Sequence, residues 1–157
     1  MSMSNVIINN EVELTYPDGF REMREEELTR YFSSPANRWG VYHEDQHLIL
    51  SVSWTKAGFK RMFTDAESFL FEVEARMCRN LLNYQRIGSY KTKIAKKKAW
   101  GVRFEYRVND ARLVQVADLF VFKHKKKFYA IHFISRKSNA AESRAGFETV
   151  MNSIKLS

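Results

Sequence analysis

The sequence predicts an α+β protein: a three-layer α/β/α sandwich in which a central, mainly antiparallel sheet of about six strands is covered by three helices. Segments that alternate apolar and polar residues recur between short polar turns, which is typical of antiparallel hairpins. Three other segments place apolar residues at helical spacing. Two segments near the C-terminus are apolar at nearly every position, as in strands that are covered on both faces.

The first elements follow from residues 11 to 32. The segment "EVELTYPDGF" alternates apolar and polar residues up to Tyr16 and then reaches Pro-Asp-Gly, so it predicts a half-buried strand that ends in a turn. In "REEELTRYF", three glutamates precede Leu28 and Phe32, and acidic residues favour the start of a helix. We therefore expect one strand followed by a short helix.

Residues 39 to 54 contain "HEDQH", which matches the H-E-x-x-H signature of zinc peptidases. That chemistry needs His43 and His47 one turn apart on a helix, with Glu44 as the general base. The flanking residues instead alternate with a period of two, so the segment predicts a β-hairpin closed by "EDQ", with the two histidines opposite each other. We expect a turn here and no metal site.

Two more helices are predicted. In "TDAESFLFEVEARMCRNLLNY", Thr64 and Glu67 fit a capping box and an apolar stripe follows. Cys78 lies among apolar residues and is expected to be buried rather than reactive. The last helix is predicted over "SNAAESRAGFETVMNSIKL", with Ser138 or Asn139 as its cap.

Four strands are predicted between these helices. "SYKTKIA" and "GVRFEYRV" alternate and are joined by "KKKAW", whereas "LVQVADLFVFK" and "FYAIHFIS" are almost wholly apolar and are joined by "HKKK". A three-residue loop at 124 to 126 would place Asp118 directly opposite His132. Such a pair could orient a general base, but it could equally be a satisfied buried pair, and a change of register by one residue would separate them. No motif places a nucleophile, so we favour the structural interpretation.

The composition is that of one globular domain spanning residues 1–157. The chain is 45% hydrophobic and 14% aromatic, with six glycines and two prolines. Its N-terminus shows no apolar leader and no segment is long enough to span a membrane, so we expect a cytoplasmic protein without a membrane role. A single cysteine excludes an intrachain disulfide and a multi-cysteine zinc site.

The net charge of +8 is unevenly distributed. Residues 1–75 contain 7 Lys and Arg against 13 Asp and Glu, whereas residues 76–157 contain 19 against 5. The basic half is predicted to present a partner-binding face made of Lys91, Lys93, Lys96, Lys97, Lys98, Arg103, Arg107, Lys125, Lys126 and Lys127. An acidic protein surface is the expected partner. Nucleic acid is an alternative because exposed aromatic residues lie nearby, and lysines that merely solubilise an edge strand are another.

Both ends of the chain resemble the PsbP-like family. The resembling segments are "LTYPDGF", a strand that runs into a turn, and "KFYAIHF" followed later by "FETVMNSIKL", a strand and then a helix that ends near Ser153 and Ile154. The resemblance implies a bacterial α/β/α binding scaffold without a shared catalytic apparatus. Because members bind different partners, it implies no particular functional residue.

These observations together predict a non-enzymatic cytoplasmic binding or adaptor protein that uses its basic face to meet an acidic protein. No phosphate-binding glycine loop, nucleophile elbow or dinucleotide fingerprint is present. We therefore expect no cofactor and no catalytic residue. A nucleic-acid-binding protein is the first alternative, and a small-molecule or hydrolytic site at Asp118 and His132 is the second.

Overall fold

Runs of two to four strands are separated by single helices along the chain. The computed structural model describes residues 2–32, 34–108 and 110–157. In chain order these form β1 (Met3–Ile8), β2 (Val12–Pro17), β3 (Phe20–Glu22), α1 (Glu25–Phe32), β4 (Arg38–His43), β5 (Leu48–Lys56), α2 (Ala66–Asn80), β6 (Leu82–Ile94), β7 (Lys97–Val108), β8 (Leu113–His124), β9 (Lys127–Arg136), α3 (Ala140–Asn152) and β10 (Lys155–Leu156).

The central sheet contains seven strands in the order β3-β4-β5-β9-β8-β7-β6, and every neighbouring pair is antiparallel. A second, smaller sheet has the order β1-β2-β10. The predicted α+β class and the largely antiparallel sheet are confirmed. The sheet is larger than the six strands expected, and β1 was not predicted because "MSNVII" lacks a clear period of two.

Two apolar layers form the core, one on each face of the central sheet. On the first face, α3 and the small sheet pack over residues such as Leu50, Ile131 and Phe133. On the second face, α1 and α2 pack over residues such as Phe104, Leu119 and Ile134. Both faces of β8 and β9 are therefore covered, which explains why these two strands are apolar at nearly every position.

The structure corrects two expectations about α2. The helix is capped by Asp65, whose Oδ1 accepts a hydrogen bond of 2.8 Å from the Ser68 amide, and not by Thr64. It ends at Asn80, and β6 starts at Leu82, which is 49% exposed. Cys78 is exposed rather than buried because it lies on the solvent side of the helix. The described part of the chain contains no helix that is long and apolar enough to cross a membrane.

The predicted hairpin at "HEDQH" is confirmed, but its two histidines are not opposite each other. His43 is paired with Leu48, and residues 44 to 47 form the turn. The His43 ring packs edge-on against Phe20 at 5.2 Å, whereas Nδ1 of His47 lies 3.2 Å from the hydroxyl of Tyr42. Since Tyr42 and His43 point to opposite faces of β4, the two imidazoles do not converge.

The turns between β6 and β7 and between β8 and β9 have two residues each. Ala95 and Lys96 form the first, Lys125 and Lys126 form the second, and all four have positive φ values of 48° to 71°. The predicted three-residue loop at 124 to 126 is therefore wrong. The shorter turn shifts the register by one residue relative to the expected one.

The shifted register separates Asp118 from His132. Asp118 is opposite Phe133 and points to the face covered by α3, whereas His132 is opposite Leu119 and points to the face covered by α1 and α2. The expected Asp-His pair does not form. The two residues belong to different sites.

Candidate functional site

Two adjacent hairpins project from one end of the central sheet and carry most of the predicted basic residues. In antiparallel order, the β6–β7 turn and the β8–β9 turn lie at the same end. Ala99 pairs with Phe122, and extending this register by two residues places Lys97 beside His124. The two hairpin tips therefore extend equally far from the sheet. Neighbouring strands are about 4.8 Å apart, which places the centres of the two hairpins roughly 10 Å apart.

The exposed lysines at these tips form one surface, which we name the lysine edge. Their side chains take part in no salt bridge within the described residues, where the acidic groups pair with other cations. Phosphate or carboxylate groups of a partner would meet positive charge there without first displacing an internal partner. The lysine edge consists of Lys93, Lys96, Lys97, Lys98, Lys125 and Lys126.

The other predicted basic residues do not belong to this surface. Lys127 donates a 2.8 Å hydrogen bond to the buried Glu11, and Arg103 binds Asp118 through two hydrogen bonds of 2.8 and 2.9 Å. Lys91 lies over the Trp100 ring at 5.9 Å. Arg107 is at the far end of β7, about 35 Å from the tips at 3.4 Å per residue.

An apolar segment runs beside the lysine edge. Between β5 and α2, Phe59 is 88% exposed and Phe63 is 96% exposed. The segment is tied to the β8–β9 hairpin, because the Ala57 amide donates to the Lys126 carbonyl at 2.9 Å. The ammonium group of Lys123 also donates to the carbonyls of Met62 and Thr64 at 2.8 and 2.9 Å. Exposed aromatic rings and unpaired cations are therefore neighbours. In the sequence, this exposed aromatic surface is indicated only by the fact that Phe59 and Phe63 belong to no alternating pattern.

Asp118 lies at the floor of a groove of about 480 Å³ between α3 and strands β6 to β8. Its carboxylate is held by Arg103, and the hydrogen bonds to Asp118 raise the pKa of the arginine although burial by itself would lower it. Tyr90, which is 37% exposed, stacks on Phe120 beside the pair. The arrangement is a satisfied ion pair in a groove, without an adjacent nucleophile among the described residues.

His132 lines a separate cavity of about 340 Å³ on the opposite face, beneath α1 and α2. Burial and the nearby Arg38 charge lower the pKa of the imidazole to about 3, so His132 is neutral near pH 7. Its Nδ1 is buried without a hydrogen-bond partner in the described structure. The sequence indicated His132 only as a possible partner of Asp118, and Arg38 was not predicted as a site residue.

Metal binding has little support in the geometry. Within residues 2–32, 34–108 and 110–157, no three His, Cys, Asp or Glu side chains are grouped so that they could hold an ion. The histidines of "HEDQH" point to opposite faces of their hairpin, and each already contacts an aromatic residue.

The layer order and the strand order define the class of this protein as an α/β/α sandwich, and solved structures of PsbP-like proteins have a similar fold. The cyanobacterial PsbP (CyanoP) of Synechocystis sp. PCC 6803 matches with a TM-score of 0.69 at 13% identity, over 99% of this chain and 93% of that one. The yeast Ran-binding protein Mog1p of Saccharomyces cerevisiae matches with a TM-score of 0.64 at 9% identity, over 99% and 96%. LpqN of Mycobacterium tuberculosis, which is involved in cell envelope biogenesis, matches with a TM-score of 0.60 at 12% identity, over 99% and 91%.

The resemblance to the PsbP-like family that the sequence predicted is confirmed as a likeness of fold. No protein-family model and no curated protein matches the sequence. At identities of 9 to 13%, these structures share an architecture with the chain, and their partners are their own.

Proposed function

We propose that this chain is a non-enzymatic binding protein of the bacterial cytoplasm and that its lysine edge binds an acidic protein partner. The observation that carries the proposal is the pair of hairpin tips at one end of the sheet, whose exposed lysines form no salt bridge within the described part of the chain. Mog1p, which has the same fold, is a Ran-binding protein, so this architecture is compatible with protein binding.

The conformation of the tips supports a role for their charge. A two-residue hairpin turn with positive φ at both positions is most stable with Asn-Gly or a similar pair. Here the positions hold Ala95-Lys96 and Lys125-Lys126. A left-handed conformation costs a non-glycine residue roughly 1–2 kcal/mol. Three of these four positions therefore hold a lysine although lysine is conformationally unfavourable there. A binding role for the lysine side chains would explain this.

The neighbouring aromatic residues favour a protein partner over a nucleic acid or a purely electrostatic one. Binding energy at protein interfaces concentrates in apolar anchors that are surrounded by polar contacts. Phe59 and Phe63 are almost fully exposed and lie beside the tips. A partner surface with acidic side chains around a few apolar ones would complement both features.

The test uses two fluorescent 20-residue peptides of equal negative charge, one made of Glu, Gly and Ser and one in which Leu replaces four of the Gly or Ser residues. We expect the full-length protein to bind both, the Leu-containing peptide more tightly. The variant Lys96→Glu/Lys125→Glu/Lys126→Glu should bind about tenfold more weakly or worse, since each exposed pair contributes about 0.2–1 kcal/mol and is reversed in sign. The variant Phe59→Ser/Phe63→Ser should lose only the preference for Leu.

A matched control changes the net charge by the same amount elsewhere. Arg79→Glu/Arg107→Glu/Arg112→Glu alters three exposed arginines away from the tips and should leave peptide binding near the wild-type value. Equal weakening by the control would refute a localised site. Tighter binding of a single-stranded oligonucleotide of equal charge, with a steeper dependence on salt, would refute the protein partner in favour of nucleic acid.

A further inference from the structure

The cavity beneath α1 and α2 has a polar side without an acidic residue. It holds about 340 Å³, which is within the range of pockets for small ligands. Its polar lining comprises Tyr31, Arg38, Arg76, Asn80, Tyr106 and His132, and the rest is apolar, with Phe104 and Met77 among the lining residues. Two arginines face this space, and no Asp or Glu lines it among the residues that the structure describes.

Arg38 is the unusual residue of this cavity. Its guanidinium group lies 4.0 Å from the centre of the Phe32 ring, and Nη1 donates a 3.0 Å hydrogen bond to the hydroxyl of the fully buried Ser51. No carboxylate lies within salt-bridge distance of Arg38 in the described structure. Burial without such a partner lowers the pKa of Arg38 to about 10.

The contrast with three arginines that form ion pairs makes this informative. Arg21, Arg86 and Arg103 each bind a carboxylate, and their pKa values are raised. Desolvating a charge costs free energy unless an opposite charge or several hydrogen bonds compensate. Arg38 has one hydrogen bond and one aromatic face, so part of its donor fork is left over for a ligand.

We propose that this cavity binds a small organic carboxylate with an apolar, aromatic-sized body. The carboxylate would accept hydrogen bonds from the guanidinium group of Arg38, and the body would lie against Phe104 and Met77. The proposal departs from the expectation that a small molecule is not a partner. It uses the opposite side of the sheet from Asp118 and does not depend on the lysine edge.

His132 fits the same ligand. Its ring is 5.5 Å from the Phe32 ring that also stacks on Arg38, and it is paired across the strands with Ser51, the hydrogen-bond partner of Arg38. A neutral imidazole can donate one N–H to a carboxylate oxygen. Arg38, Ser51 and His132 therefore form one polar corner of the cavity.

The probes are 2-naphthoate and its neutral analogue 2-naphthylmethanol, titrated into the full-length protein and followed by calorimetry and by the NMR signals of residues around the cavity. We expect the carboxylate to bind at least tenfold more tightly than the alcohol. Replacing Arg38 with Met keeps an apolar stem against Phe32 but removes the fork. Arg38→Met should weaken naphthoate binding about 10- to 100-fold, the range for hydrogen bonds to charged groups, and should leave alcohol binding unchanged.

Arg144→Met is the matched control, because Arg144 lines the groove on the other face of the sheet and should not affect naphthoate binding. Arg38→Lys keeps the charge without the fork and should bind with intermediate affinity, provided that circular dichroism shows a native fold. The proposal is overturned if the carboxylate binds no more tightly than the alcohol, or if Arg38→Met and wild type bind it equally.

Discussion

Gly101 shows how one missing side chain shapes a whole groove. A Cβ atom at this position would lie 2.4 Å from a ring carbon of Phe120 on the neighbouring strand. The glycine lets Phe120 lie across β7 and stack on Tyr90 of β6, at 6.3 Å between the ring centroids. The aromatic wall of the Asp118 groove therefore depends on an absent methyl group rather than on backbone freedom.

We predict that Gly101→Ala lowers the free energy of unfolding by about 1–3 kcal/mol, because the Phe120 ring must leave its stacked position. Urea unfolding followed by circular dichroism measures the change. Gly146→Ala is the control, since nothing lies within 4 Å of a Cβ there and alanine favours the helix by roughly 1 kcal/mol. Similar effects of the two substitutions would contradict this account.

His132 should make stability depend on pH above the range in which carboxylates titrate. Its pKa is lowered from 6.5 to about 3 in the folded protein, so the unfolded chain binds more protons between these values. The stability that depends on neutral His132 should therefore be fully present above pH 6.5. Below it, the free energy of unfolding should decrease by up to about 1.4 kcal/mol per pH unit. Protonation of this residue favours the unfolded chain.

The comparison is between wild type and His132→Leu, in urea titrations at pH 7.0, 6.0 and 5.0. Between pH 6.5 and 5 the wild type should lose stability relative to the variant, because leucine cannot take up a proton. Below that range, carboxylates such as Glu27, whose pKa the Arg21 hydrogen bond lowers to about 2, add their own loss of stability. Parallel curves for the two proteins above pH 5 would show that His132 is not held neutral.

Among the secondary-structure elements, α2 is capped by a different residue from the one that the sequence predicts. The capping-box pattern predicted Thr64 as the cap, whereas the structure uses the next residue, Asp65. Local sequence cannot decide between adjacent candidates. Lys123 binds the backbone carbonyl of Thr64 and so helps to fix where the preceding segment ends, a tertiary contact that the sequence does not reveal.

Asp65→Ala should destabilise the protein by about 0.5–2 kcal/mol, because the Ser68 amide loses its acceptor at the start of the helix. Thr64→Ala should change the free energy of unfolding by less than about 0.5 kcal/mol, as is usual for surface substitutions. Chemical denaturation of both variants measures these values. A larger loss of stability for Thr64→Ala than for Asp65→Ala would show that Thr64 caps the helix, as the capping box predicted.

The turns set the limit of what could be predicted about the candidate sites. The nearly continuous apolar pattern of β8 and β9 was sufficient to identify both strands as a central hairpin. Neither Gly nor Asn marks the turn between them, however, so its length of two residues could not be read from "HKKK". One residue of error moved His132 to the other face, and the cavity with Arg38 could not be predicted.

Over the whole molecule, a buried cluster connects the small sheet to the central one. Glu11, at the turn between β1 and β2, accepts hydrogen bonds from the Tyr129 hydroxyl at 2.5 Å and from Lys127 at 2.8 Å. Burial alone would raise the pKa of Glu11, but the hydrogen bonds from Lys127 and Tyr129 outweigh it and lower the pKa. The fold class followed from periodicity, whereas this connection joins residues more than 100 positions apart and was not predictable.

Glu11→Gln should lower the free energy of unfolding by about 2 kcal/mol, because the charge-assisted hydrogen bonds to Glu11 are lost. Glu13→Gln is the control: its hydrogen bond to Asn5 is exposed, and the change should cost less than about 0.5 kcal/mol. Thermal unfolding of both variants at neutral pH provides the measurement. Equal losses would mean that the small sheet is held by apolar packing alone.

The two edge strands of the central sheet, β3 and β6, differ in how readily a further strand could pair with them. β3 has three residues, whereas β6 has thirteen, with register shifts near its start and Lys91 and Lys93 near its end. Two copies that met margin to margin at β6 would bring like charges together, which discourages self-assembly. An added strand that carries glutamates would instead be attracted. The β6 edge therefore repels a second copy of itself and attracts a strand of negative charge.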